Sequence, residues 1–248
     1  MATTLTLLTL AFTGIACAAD SDSSAKDGGV LVTPLPSRTA ETPETRVSPT
    51  SPPGATPQPT STGNGSQLTG FAFPLAGGCL PKGDQLMPNA RRDYRLGIHE
   101  GIDFYDADNC TMIGLGTPVH AAKAGIVIRA DTNYQNPTVQ QMNALLADPT
   151  NEASLDAFRG RQVWVDHGGG IVTRYCHLSK VADGLAAGAA VKQGDVIAFV
   201  GESGTPESVS NPGRQYHLHF EVRVGGSYLG AGESPAKVRL LYTTLFLQ

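Results

Sequence analysis

Aromatic residues make up only 6% of this 248-residue sequence and charged residues 16%. No aromatic residue stands between Phe12 and Phe71, so that stretch has too little apolar surface to offset its chain entropy by burial. There is no run of Lys or Arg, and the formal net charge is −4, which excludes a surface that tracks a phosphate backbone; nucleic acid is not an expected partner. Beyond the first twenty positions, no apolar run approaches the roughly 18 residues that a spanning helix requires. The first four residues also lack Lys and Arg, leaving the amino terminus as the only positive charge before an apolar run at 5–16.

That run is short and ends in small residues, the pattern of a secretory signal peptide over residues 1–19. Its exit reads Gly14-Ile15-Ala16-Cys17-Ala18-Ala19, and two processing routes fit it. It resembles a bacterial lipobox, with Gly14 where Leu is usual, in which Cys17 is lipidated and becomes the new N-terminus. Ordinary cleavage after Ala18 or Ala19 is the other route. Residues 20–67 hold eight of the 17 prolines, and a third of them are Ser or Thr, the composition of a disordered tether. A tether suits a chain fixed at one end. The expected location is therefore extracytoplasmic, either secreted or attached to the envelope membrane through a lipid on Cys17, and the expected state is a monomer.

Residues 68–248 are long enough for one domain and contain Cys79, Cys110 and Cys176. In an exported chain Cys79 and Cys110 can pair across about 30 residues, with Cys176 as a buried thiol; three unpaired thiols are the alternative. Short alternating or β-branched runs at 119–121, 126–130, 162–166, 171–176, 196–200 and 216–224, with glycine turns between them, predict an all-β sandwich or barrel. Helical periodicity stands out only between Pro137 and Phe158. There 138–147 and 153–158 place Leu145, Leu146, Leu155 and Phe158 at helical intervals after Pro and Asn start signals, predicting a helical insertion at about 131–160 between two strands. The segment 191–197 looks like the hammerhead turn of lipoyl-like half-barrels. No lysine sits at the tip of a tight hairpin, which excludes a carrier domain.

All six histidines lie between positions 99 and 219. In Tyr216-His217-Leu218-His219-Phe220-Glu221 the strand period of two puts His217, His219 and Glu221 on one face, so one imidazole can bind a metal while the other transfers protons. His99-Glu100-Gly101-Ile102-Asp103 adds a His and a carboxylate that a straight strand would hold about 13 Å apart. Gly101 offers a bend, because glycine tolerates backbone conformations that other residues avoid. His177 ends the run 171–176 and is expected where that strand opens into a loop. A His, Asp, His set supplies three N and O ligands for zinc and leaves a fourth position for water, with two further histidines for acid and base chemistry. His120 and His167 are expected to be structural, and Glu221 to orient a ligand from behind.

With these elements the chain resembles the lysostaphin-type (LytM-like) zinc endopeptidases that cut peptidoglycan peptides. The resemblance runs from Phe73-Pro74-Leu75 to about Leu229, through HEGID, Gly116-Thr117-Pro118-Val119, Val165-Asp166-His167-Gly168, Tyr175-Cys176-His177-Leu178, the glycine turn at 191–204 and HLHFE. It implies a mainly β fold, a lipoyl-like half-barrel or barrel-sandwich hybrid, carrying the small helical insertion. It further implies one Zn²⁺ held by His99, Asp103 and His219, with His177 and His217 as the catalytic pair and a peptidoglycan peptide as substrate. In that scheme His217 takes a proton from the attacking water and delivers it to the leaving amine, and His177 hydrogen-bonds the oxyanion. Some members of the family have lost ligands and act as amidase activators or scaffolds, the rival reading, but all five residues are present here. Two regions depart from the family pattern: the approach to His99 over 78–96, and the helical insertion.

Overall fold

The computed structural model describes residues 68–106 and 108–247. The expected leader, Cys17 and the tether lie outside the described residues. Twelve strands and four α-helices follow one another in the described part. The strands are β1 (Arg91–Arg92), β2 (Gly97–Ile98), β3 (Ile102–Phe104), β4 (Pro118–His120), β5 (Gly125–Ala130), β6 (Val163–Asp166), β7 (Ile171–Cys176), β8 (Leu178–Val181), β9 (Ala190–Val191), β10 (Val196–Val200), β11 (Leu218–Val224) and β12 (Ser227–Tyr228). The helices are α1 (Val139–Ala147), α2 (Glu152–Phe158), α3 (Glu207–Ser210) and α4 (Pro235–Leu245).

β1 and β2 form a small hairpin; β4, β10 and β8 form a three-stranded sheet; the main sheet runs β12-β11-β7-β6-β5-β9, with β3 added on β11. All pairings are antiparallel, and their alternating apolar positions meet in one core. Tyr175, Phe104, Phe220, Ile102 and Leu218 are fully buried in it, each such side chain contributing about 1.5–3 kcal/mol by leaving water. The mainly β architecture expected from the sequence is observed.

The insertion forms because its caps are in place. Thr138 accepts from the Gln141 N–H and the Gln141 side chain answers at the Thr138 N–H, a reciprocal cap for α1; Asn151 caps α2 through Ser154. Its leucines are not core residues. Leu145, Leu146 and Leu155 are only half-buried, while Met142 and Phe158 are buried. The C-terminal helix α4 was not expected. Ser234 caps it, Pro235 opens it, and it buries Val238, Tyr242 and Leu245 at helical spacing, but Thr243 and Thr244 weaken the local helical signal. Cys79 and Cys110 are joined in a disulfide and Cys176 is a free, buried thiol.

Gly101 is required for a different reason from the one the sequence suggests. It is not among the residues in the left-handed region. A Cβ there would lie 2.4 Å from the Phe220 carbonyl oxygen and 2.9 Å from its carbon, so a side chain would drive β3 away from β11. Gly101→Ala is therefore expected to cost roughly 1–3 kcal/mol of stability, as overpacked sites do. Denaturant unfolding reads this directly, and a midpoint equal to that of the unaltered chain would contradict it.

Candidate active site

β11 pairs with β3 so that His219 lies opposite Asp103, and with β7 so that His219 lies opposite Cys176, the neighbour of His177. Directly opposed residues bring their side chains together without further instruction. His99 reaches the same point from the turn between β2 and β3. Its Nε2 lies 2.9 Å from Asp103 Oδ1 and 3.0 Å from His219 Nδ1, and His219 Nδ1 lies 2.8 Å from Asp103 Oδ1. Three potential ligand atoms thus form a nearly equilateral triangle, all from buried side chains.

The outward faces of both rings are also fixed. His99 Nδ1 donates to the Met87 carbonyl at 3.0 Å, and His219 Nε2 donates to Glu221 Oε1 at 3.1 Å. With those protons placed outward, His99 Nε2 and His219 Nδ1 direct lone pairs at each other and at the carboxylate. Three converging acceptors are mutually repulsive unless a proton or a metal cation joins them. Two imidazoles and a carboxylate suit zinc, so the residues present fit a metal ion.

The electrostatics of His99 and Asp103 agree with this, while the surroundings of His219 favour a proton that a bound metal would displace. Burial pushes His99 down to about 4, so its ring is neutral and free to act as a ligand. Burial opposes the charge on Asp103, but His99 and His219 outweigh it and hold the carboxyl well below the usual carboxylate range. For His219 burial works downward, while its hydrogen bonds to Asp103 and Glu221 work upward and prevail. Arg92, which sequence reasoning did not single out, donates to the second oxygen of Asp103 at 2.8 Å.

His177 and His217 stand beside this triangle, their ring centroids 4.5 Å apart. His177 does not open a loop. It is a single left-handed residue, φ +59°, at the corner where the chain leaves β7 in one sheet and enters β8 in the other. A non-glycine residue in that region marks a locally constrained backbone. Its Nδ1 donates to the Ser203 carbonyl at 2.8 Å, and His217 Nδ1 donates to the Gln215 carbonyl at 2.6 Å. These carbonyls fix the tautomer, leaving Nε2 of each ring as an acceptor. Burial lowers the pKa of both, so both are neutral at neutral pH. Tyr105 stacks on His217 at 4.3 Å between centroids and donates to Gln215 Oε1. Tyr105 is two residues past Asp103, so strand periodicity could have placed it on the same face; the carbonyl partners carry no residue-type signal.

Glu221 is completely buried and receives Arg159 at 2.6 Å, Arg223 at 3.2 Å and Arg174 at 3.3 Å. Cys176, His219 and Glu221 form a second potential ligand group. It is poorly suited to a metal, because Glu221 is already bound by three guanidinium groups. In addition, burial and the charge of Glu221 push the Cys176 thiol well above its ordinary range. His120 bonds the Gly194 carbonyl, and His167 is held between the Ala124 carbonyl and Thr173, both remote from the triangle.

A cavity of about 290 Å³ opens over the histidines. The approach to His99 contributes Arg92, Tyr94 and Arg95 to its lining, and the helical insertion contributes Leu146, Leu155 and Phe158. The two segments meet where Tyr94 packs edge-to-face on Phe158, with 5.9 Å between ring centroids.

The chain is similar to several known proteins. The chain is 27% identical over 137 residues to the peptidoglycan DD-endopeptidase ShyA of Vibrio cholerae, an overlap of 55% of this chain and 23% of that protein. It is 29% identical over 132 residues to ShyC, a peptidoglycan DD-endopeptidase of the same organism, over 53% and 22% respectively. The chain thus spans less than a quarter of the length of these curated relatives. Among solved structures it is similar to a zinc-containing peptidase from Vibrio cholerae, with a TM-score of 0.42 and 24% identity, covering 66% of this chain and 40% of that one. Residues 97–231, more than half of the sequence and the part that holds all five site residues, match Peptidase family M23, and the chain belongs to that family.

Proposed function

We propose that the protein is an exported zinc endopeptidase that hydrolyses peptide crosslinks or stem peptides of bacterial peptidoglycan. The observation that carries this reading is the triangle of His99 Nε2, Asp103 Oδ1 and His219 Nδ1 with its outward protons already committed. The names of the Vibrio cholerae relatives support the substrate class.

His99, Asp103 and His219 would hold one zinc ion. When bound, zinc supplies Lewis-acid polarisation of the scissile carbonyl and a more acidic water. The protein's own residues handle the protons. His217, neutral and with Nε2 open, accepts the proton of the attacking water, and the Gln215 carbonyl steadies the resulting imidazolium. The same Nε2 then returns the proton to the leaving amine. His177 presents an acceptor in its neutral form and so orients the water; it can donate to the oxyanion only when it carries a second proton. Cys176 is not a nucleophile in this scheme, since its Sγ turns toward Gln162 Oε1. At the front of the chain, a lipid on Cys17 and a tether over 20–67 would hold the domain at the envelope membrane. Among the described residues no helix is long and apolar enough to cross a membrane.

Zinc binding is expected to raise the thermal midpoint. At a hundredfold excess over its dissociation constant the gain is about 2.7 kcal/mol. Calorimetry with zinc and then with a chelator reads the effect, and an identical response from His219→Ala would contradict the ligand assignment. Incubated with bacterial sacculi, the purified chain should release peptide-derived fragments detectable by mass spectrometry, and chelator should abolish release. His217→Ala should bind zinc normally while losing on the order of 10²–10⁴-fold in rate, the usual contribution of general acid–base catalysis. No cleavage by folded, zinc-loaded protein would contradict the enzymatic reading. For the anchor, Cys17→Ser is expected to move the protein from the membrane to the soluble fraction. Unchanged fractionation would remove the lipid from the account.

A further inference from the structure

The helical insertion ends at Arg159, which closes α2 in a right-handed conformation, φ −70° and ψ −15°. Its side chain turns inward. Nε donates to Glu221 Oε1 at 2.6 Å, and that same oxygen accepts the bond from His219 Nε2 at 3.1 Å. Arg174 and Arg223 bind only the other oxygen, Oε2, at 3.3 and 3.2 Å. A second arm of Arg159, Nη2, donates at 2.6 Å to Glu100, the neighbour of His99.

The main chain of Arg159 reaches the other half of the site. Its carbonyl accepts the His177 N–H at 2.9 Å and so pins the residue that sits at left-handed φ. The next residue, Gly160, lies flat against Ser203. A Cβ there would fall 2.1 Å from the Ser203 carbonyl oxygen, the atom that holds His177 Nδ1. Arg161 N–H donates to Ser203 Oγ at 2.9 Å, which keeps this strip in place.

We propose that Arg159 is a positioning residue through which the insertion sets both His219 and His177, in addition to supplying a wall of the cavity. The proposal rests on the metal reading given above. Because His219 and Arg159 share one carboxylate oxygen, loss of the guanidinium lets Glu221 rotate toward Arg174 and Arg223 and releases the His219 ring. Glu221 keeps two cationic partners, so the fold is expected to survive.

The test uses the full chain and two readouts besides turnover: zinc affinity by competition with a chelating dye, and the visible bands of the cobalt-substituted protein. Arg159→Gln is expected to lose about 10–100-fold in zinc affinity, the usual effect of removing the partner of a ligand, and to shift the cobalt bands. Arg159→Lys, which restores a cation but one donor direction, should recover part of the affinity. Arg174→Gln, at a residue that stacks on Trp164 and meets Glu221 only at Oε2, should stay within about threefold of the unaltered chain. If Arg159→Gln does not fold, the cobalt bands of Arg159→Lys carry the test, with a shift expected there too. Wild-type affinity and bands in the folded Arg159 variants would overturn the proposal, as would an equal effect from Arg174→Gln. If the unaltered chain binds zinc no better than His219→Ala, the metal reading fails and the proposal with it.

Discussion

The pairing of β3 with β11 is the constraint on which the site depends. It sets Asp103 opposite His219, and a slip of one residue in that register would turn one of them to the other face of the sheet. Gly101 allows the approach by leaving room for the Phe220 carbonyl. The fully buried Ile102, Phe104, Leu218 and Phe220 then lock the two strands from the core side. The apolar half of each strand thereby holds the polar half in an arrangement that would not assemble alone.

That arrangement is electrostatically unfavourable in the absence of a cation. Three acceptor atoms meet within 3.0 Å in a buried setting, and a buried carboxylate, Glu221, stands behind them. Guanidinium groups compensate from both sides, Arg92 at Asp103 and Arg159, Arg174 and Arg223 at Glu221. A buried charge stripped of every partner in such a network is costly, but Glu221 has three and keeps two when one is lost, and the intact set mainly enforces geometry. The tautomers of four histidines are fixed in turn by Met87, Glu221, Ser203 and Gln215. Hydrogen bonds to main-chain carbonyls and one carboxylate orient the rings, while the packed core fixes the strands that carry them.

Much of this was legible in the sequence where a short-range period was enough. The alternation through His217, His219 and Glu221 placed three groups on one strand face, and strands at 171–176 and 196–200 lie where the patterning put them. Pro137 and Asn151, as local start signals, marked the two helices of the insertion for the same reason. Long-range consequences were not legible. Nothing local shows that Gly101 faces a carbonyl from residue 220, that His177 turns a corner between two sheets, or that Arg159 reaches Glu221 across 62 positions. The spacing of the leucines in the insertion marks helices but does not say what they face, because that spacing is the same for a helix against a core and one against a groove; Leu146 and Leu155 face the cavity.

The central claim is that two imidazole nitrogens and one carboxylate oxygen converge to hold a single metal ion. X-ray absorption at the zinc edge of the zinc-loaded chain tests it most directly. The account predicts one zinc per chain with a shell of nitrogen and oxygen only, the nitrogens at about 2.0–2.1 Å. A sulfur in that shell at about 2.3 Å would move the metal to Cys176 and contradict the assignment of His99, Asp103 and His219.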